Sequence, residues 1–178
     1  MLGGPPDRSR GSWATPGGQT GGTVIRQIVG WHRDEVGDWV AELSCLHNQH
    51  VRHRPPFQER PWVQTHEGRG TRLGTEIECP LCDRAELPEG LRLARTAGPF
   101  DQDSLPAGLR RDHRVAERTW GRLRVTSGSV GFAMGTDPPV ERRLEAGDDQ
   151  PIPPGVPHAL RVGGPVTLQV DFLVAPGP

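Results

Sequence analysis

The stretch Gly147 to His158, GDDQPIPPGVPH, spaces a glycine, five residues, Pro153, one residue, Gly155, two residues and His158. That order suits a β-strand, a tight turn and a second strand whose first side chain is an imidazole. Pro153 presets φ before the turn, and Gly155 supplies the positive φ that most residues resist. His158 is thereby held on a rigid strand near a barrel mouth, where a metal ligand or a catalytic base is commonly placed.

Working outward, strands are predicted at Trp120 to Thr126, Ser129 to Met134, Val140 to Leu144, Pro151 to Ile152, Ala159 to Val162 and Val166 to Val174. Turn signals at Ser127-Gly128, Asp137-Pro138-Pro139, Gly147, Gly155 and Gly163-Gly164 separate them. Many short strands between such turns indicate an all-β sandwich or barrel. The Gly147 to His158 run resembles the second signature of the cupin superfamily, small β-barrels that often hold a metal ion. The first signature of that superfamily places two histidines one residue apart, followed by a glutamate. In DHRVAERTWGRLRVTSG, His113 stands alone and Val115 fills the second position, which excludes a three-histidine site. Glu117 is four residues from His113 and off the superfamily's glutamate position; a fourth ligand or an acid–base group is the role open to it.

In the last strand, VTLQVDFLV, Val166, Leu168, Val170 and Phe172 share one face, and Thr167, Gln169, Asp171 and Leu173 share the other. A buried acid such as Asp171 needs a partner, which a metal or an arginine (Arg122 or Arg124) would supply. Those two arginines share one strand face and would hold an anion if that face lined a cavity. The span FDQDSLPAGLRRDHRVAERTWGRLRVTSGSV, the GDDQPIPPGVPH run and VDFLVAP together resemble the TehB/YeaR-like cupin family over residues 95–176. The resemblance implies a jelly-roll barrel with His113 and His158 pointing into the cavity and Asp171 as the acid. Two histidines and a carboxylate would form a facial triad for a divalent metal, zinc or iron, leaving positions open for water, oxygen or an anion. The family is associated with tellurite resistance when fused to a methyltransferase, and with responses to nitrite or nitric oxide when standing alone. No G-x-G nucleotide loop appears, so tellurite methylation is not expected of this polypeptide by itself.

The first half carries a different chemistry. VIRQIVGWHRDEVGDWVAELSC reads as a β-hairpin with DEVGD at its turn. Pro55, Pro56 and Pro61 forbid a long helix in HNQHVRHRPPFQERPWVQ, which is expected to carry Phe57 and Trp62 into a small core. TRLGTEIECPLC offers a short strand ending at a cysteine pair. Cys45-x-His47 and Cys79-Pro-Leu-Cys82 together supply three thiolates and one imidazole, a tetrahedral set suited to Zn(II). His50 and His53 compete with His47 for the fourth place. A small module with few apolar residues needs such a clip, and metal binding would couple to its folding. The segment from Val29 to Trp62, and HVRHRPPFQERPW above all, is similar to a small bacterial family of uncharacterised zinc-ribbon-like proteins, sometimes called pressure-regulated; this implies no defined activity.

The expected organisation is a disordered Gly/Pro-rich tail over residues 1–24, a zinc-ribbon-like domain over 25–90 and a cupin domain over 91–178, mainly β throughout. Pro88 to Ala97 reads as a linker with a helical turn at Leu91 to Arg95. Of 178 residues 33% are hydrophobic, and 24 glycines and 19 prolines fit turn-rich β structure beside a flexible segment. No apolar run approaches the ~20 residues of a membrane span, and no signal-peptide core is present at the N-terminus, so a cytoplasmic location is expected. Net charge is −1, and all 21 basic residues are arginine, as a GC-rich coding bias would give. Eleven acids against eight arginines across residues 24–90 argue against nucleic acid as a partner. Three cysteines cannot all pair, and cytosolic thiols serve more often as ligands than as disulfides. The resulting expectation is a metal-binding stress-response protein with a small anion or small-molecule ligand and the capacity to dimerise through its cupin. A metal-dependent oxygen or oxyanion enzyme, and a ligand-sensing regulator, are the alternatives.

Overall fold

The computed structural model describes residues 22–135 and 138–177, so the Gly/Pro-rich tail up to residue 21 and the Asp137 turn position lie outside the described residues. The chain is mainly β. Strands β1 (Ile25–Arg33), β2 (Trp39–Leu43), β3 (Asn48–His50) and β4 (Glu76–Glu78) form one antiparallel sheet in the order β3-β2-β1-β4. The hairpin turn between β1 and β2 is an Asx turn. Asp34 Oδ1 accepts from the amides of Val36 (3.0 Å) and Asp38 (2.8 Å), and Gly37 takes φ +86°. Helix α1 (His66–Gly70) is capped by Thr65 Oγ1, and helix α2 (Pro80–Asp83) begins with proline directly after Cys79.

The second sheet runs β5 (Arg92–Asp101), β10 (Val166–Val174), β6 (Thr119–Met134) and β7 (Val140–Glu145), with β8 (Asp149–Ile152) and β9 (His158–Arg161) also paired to β6. Strand–turn–strand geometry is present over Gly147 to His158, with Gly155 at φ +67°. The two strands do not pair with each other, however. β8 pairs with Gly121 to Arg124 and β9 with Gly131 to Met134, so the turn carries the chain from one half of β6 to the other. Ser127-Gly128, expected as a turn between two strands, lies inside β6. Gly128 takes φ +69° opposite a register shift in β10, and a Cβ there would collide with the Pro165 carbonyl. The glycine bends one strand, which is how a single β6 serves both halves of the curled sheet.

Two other expectations are corrected. The supposed linker at Pro88 to Ala97 is largely strand: β5 begins at Arg92 and pairs with the open edge of β10 through Val174↔Arg92 to Thr167↔Asp101. An unpaired edge is costly to leave bare, and β5 covers it. Phe57 does not enter a core; it is 92% exposed at the tip of a loop closed by the Arg54↔Gln58 bridge, while Trp62 meets Trp31 edge-on at 5.8 Å.

Buried side chains fall into two clusters. Leu123, Val125, Val130, Phe132, Ile152, Leu160, Leu168 and Val170 fill the inside of the second sheet. The other cluster joins Ile28, Ala41, Leu43, Cys45, Cys79 and Cys82 to Trp120 and Leu173, so the first sheet closes its core with residues from the second. Among the described residues no helix is long and apolar enough to cross a membrane.

Candidate metal centre

Cys45 lies in the turn that follows β2, and His47 ends that turn. Leu46, between them, is forced to φ +74°, and the Leu43 amide donates to the His47 carbonyl at 2.9 Å. This tight knuckle aims both side chains the same way. A second knuckle is made by Cys79, the residue before α2, with Cys82 in its first turn. The four side chains are 0–4% exposed, so the cluster is closed to solvent. Their ligand atoms lie within 4.8 Å of one another, and among the described residues this is the one group of three or more such side chains that could hold a metal ion.

The distances within the cluster fit a tetrahedral ion. His47 Nδ1 is 3.5 Å from Cys45 Sγ, 3.4 Å from Cys79 Sγ and 3.6 Å from Cys82 Sγ. Cys45 Sγ and Cys79 Sγ are 3.8 Å apart. Bonds of ~2.3 Å to sulfur and ~2.0 Å to nitrogen about one centre would separate sulfurs by about 3.8 Å and sulfur from nitrogen by about 3.5 Å. The far ring nitrogen, Nε2, donates to the Glu86 carbonyl at 2.9 Å, which fixes the tautomer with the Nδ1 lone pair facing the sulfurs. His50 and His53 are placed elsewhere: His50 Nε2 meets Asp34 at 2.9 Å, and His53 Nδ1 accepts from the Arg60 amide.

Left to themselves, the imidazole and the thiols share protons across the cluster. Burial pushes the His47 imidazole down, but hydrogen bonds to Cys45 and Cys79 outweigh it and raise it to about 9. Hydrogen bonds from Cys45 and Cys82 hold the Cys79 thiol well below its ordinary range, whereas Cys45, Cys79 and burial push Cys82 up. Sulfurs this close cannot all be bare anions, and a dication among them would permit all three to ionise.

Two neighbours were not singled out by sequence reasoning. Arg26 on β1 is only 7% exposed; its Nε donates to Cys82 Sγ at 3.4 Å and its Nη2 to the Pro154 carbonyl at 2.7 Å. Strand alternation could have found it, because Arg26 shares the buried face of β1 with Ile28. Trp120, fully buried at the start of β6, donates from Nε1 to the Cys45 carbonyl at 2.8 Å and meets the His47 ring edge-on at 5.3 Å.

The barrel triad expected of His113, His158 and Asp171 does not form. His113 and His158 are brought together: their backbones exchange two 2.9 Å hydrogen bonds, and their rings meet edge-on at 5.2 Å. Both line a small, mostly apolar cavity of about 20 Å³ with Phe132, Leu160, Val170 and Phe172. Burial is the main reason that His158 is held down to about 4, so the ring is neutral, with Nδ1 donating to the Val156 carbonyl at 3.2 Å. Asp171 alternates with Val170 and Phe172 and therefore projects from the other face of β10. There it accepts from Thr96 Oγ1 (2.7 Å), Arg122 Nη2 (2.9 Å) and Arg124 Nη2 (3.1 Å). Burial pushes its carboxyl up, yet the Thr96 and Arg122 hydrogen bonds and the Arg124 charge prevail and leave it below the ordinary carboxylate range. The arginines expected as an alternative partner are the actual one. Glu117 is exposed and belongs to neither group.

Residues 29–86 match a family described as "Protein of unknown function (DUF3565)", and residues 95–170 match a TehB-like domain. Among solved structures, an E. coli (strain K12) protein aligns at 23% identity and TM-score 0.48, over 52% of this chain and 98% of its own. TehB from Haemophilus influenzae aligns at 18% identity and TM-score 0.45 over 49% of this chain; the alignment spans 32% of TehB. FeII HppE aligns at 21% identity and TM-score 0.32, over 38% of this chain and 36% of its own. No curated protein matches the chain.

Proposed function

We infer that the chain is a metal-binding protein of the stress-response kind, tellurite- or nitrite-response-like. In this reading zinc occupies the site of Cys45, His47, Cys79 and Cys82, and clips a ribbon-like module onto a cupin-type barrel. The observation that carries it is one imidazole nitrogen 3.4–3.6 Å from three sulfurs, with all four ligand atoms within 4.8 Å of one another in a closed pocket. Four protein ligands leave no coordination position for substrate, so the ion is structural and supplies folding energy. The TehB-like match over residues 95–170 supports the stress-response part of the reading. A metal-dependent enzyme is the weaker alternative, because Asp171 is committed to Arg122 and Arg124 and faces away from the two histidines.

Metal analysis of the purified full chain tests this directly. One zinc per chain is expected, resistant to mild chelation and lost in Cys79→Ser. Protein that contains no zinc, and takes none up when it is supplied, would remove the reading.

A further inference from the structure

The zinc reading leaves one residue without a role. Arg26 is among the few charged side chains buried in the protein, and no carboxylate pairs with it among the described residues. A buried guanidinium without a counter-charge is strongly disfavoured. Three thiolates, a neutral imidazole and a dication sum to one negative charge, which is the counter-charge that Arg26 lacks. Its Nε points at Cys82 Sγ and its Nη2 at the Pro154 carbonyl, so one planar fork spans both groups.

The second contact falls at a particular place. Pro154 is fully buried in the turn that delivers His158 to the cavity. That turn is also stitched by the Gly155 amide to the Val115 carbonyl and by the His158 amide to the His113 carbonyl, each at 2.9 Å. Holding Pro154 therefore bears on the spacing of the two cavity histidines. Arg26 thus bridges the cysteine–histidine cluster and that turn through a single side chain.

We propose that Arg26 is a positioning residue that neutralises the zinc–thiolate centre and couples its occupancy to the Pro153–His158 turn, so that loss of the metal loosens the His113–His158 cavity. The proposal rests on the zinc reading. When the centre gives up its ion nothing fixes the Cys82 sulfur in place, and the Arg26 fork loses one of its two anchors. The barrel cavity thus becomes sensitive to zinc that is bound in the other module.

The test uses the full chain as wild type, Arg26→Gln and Arg26→Lys. Zinc transfer to a chromogenic chelator and hydrogen exchange of the Gly155, Val156 and His158 amides are the readouts. Arg26→Gln should yield its zinc ~10–100-fold more readily, the usual cost of removing an outer-shell partner. Arg26→Lys keeps the charge but has no fork; it should hold zinc near the wild-type level while the three turn amides exchange faster. In the wild type, stripping zinc should accelerate those amides while β7 amides stay protected. Unchanged zinc transfer in Arg26→Gln overturns the proposal, as does turn protection that is indifferent to zinc or lost equally throughout β7. If Arg26→Gln does not fold, Arg26→Lys decides: zinc bound with an undisturbed turn overturns the coupling. A wild type that binds no zinc defeats the underlying reading, whereas zinc-loaded wild type with unaltered variants defeats only this proposal.

Discussion

The cysteine–histidine knuckles and the His113–His158 cavity present the same elements of chemistry in two settings, and only the first assembles a complete ligand set. In the knuckles, the two ligands of each pair lie within three residues of one another, and a positive-φ leucine or a proline-initiated helix aims both side chains at one point. In the second sheet the would-be ligands come from three separate segments, so the face on which each side chain emerges depends on strand parity. His158 emerges inward; Asp171, next to Val170, emerges outward. Local turns converge by construction, whereas distant strand residues converge only if every parity agrees.

The largest expected effect probes how far the two regions are one structure. Trp120→Ala removes a fully buried indole shared by the metal centre and β6, and should cost roughly 3–5 kcal/mol. Denaturant unfolding followed by the fluorescence of Trp31, Trp39 and Trp62 in the first module, read in a Trp13→Phe background, and by exchange of β9 amides should show both regions losing stability together. Loss confined to one probe would show that they unfold separately.

Asp171→Asn sharpens the contrast at the other site. It leaves Arg122 and Arg124 facing each other without a carboxylate; both are about a third exposed, so about 2 kcal/mol is expected rather than the full cost of a buried unpaired charge. Metal content should be unchanged. A variant that loses metal would return Asp171 to the ligands.

His158 gives the smallest effect and a defined pH window. Its folded-state pKa of about 4 lies below the ordinary 6.5, so above 6.5 both folded and unfolded chains carry a neutral ring and nothing is lost. As pH falls from 6.5 toward 4 the unfolded chain takes up a proton that the folded one refuses, and stability declines. A shift of this size sets a ceiling of ~3 kcal/mol, and ~1–2 kcal/mol is expected. Urea midpoints across that range should fall for the wild type and fall less for His158→Gln; parallel curves would show that the ring is charged in the fold.

The legible parts of the sequence were those written in local spacing. The two ligand pairs Cys45/His47 and Cys79/Cys82, the hairpin at DEVGD and the turn within Gly147 to His158 are each set by near neighbours, although the ligand pairs meet across the chain and the strands flanking that turn pair with β6. What escaped depended on partners far along the chain. β5 becomes a strand because β10 offers an open edge, Gly128 bends rather than ends a strand because β6 changes partners there, and Arg26 is buried because Cys82 and Pro154 meet it. The outward face of Asp171 was nevertheless readable, since the apolar alternation of Val166 to Phe172 already identified the inner side.

The sharing of Trp120 and Leu173 with the cysteine cluster bears on biosynthesis. All three thiols leave the ribosome before Leu173, and two knuckles lacking the side chains that roof them would meet oxidants and competing cations in an open state. The nascent first half therefore depends on the final strand for its protection, and pausing of translation late in the message is when its sulfurs are most vulnerable.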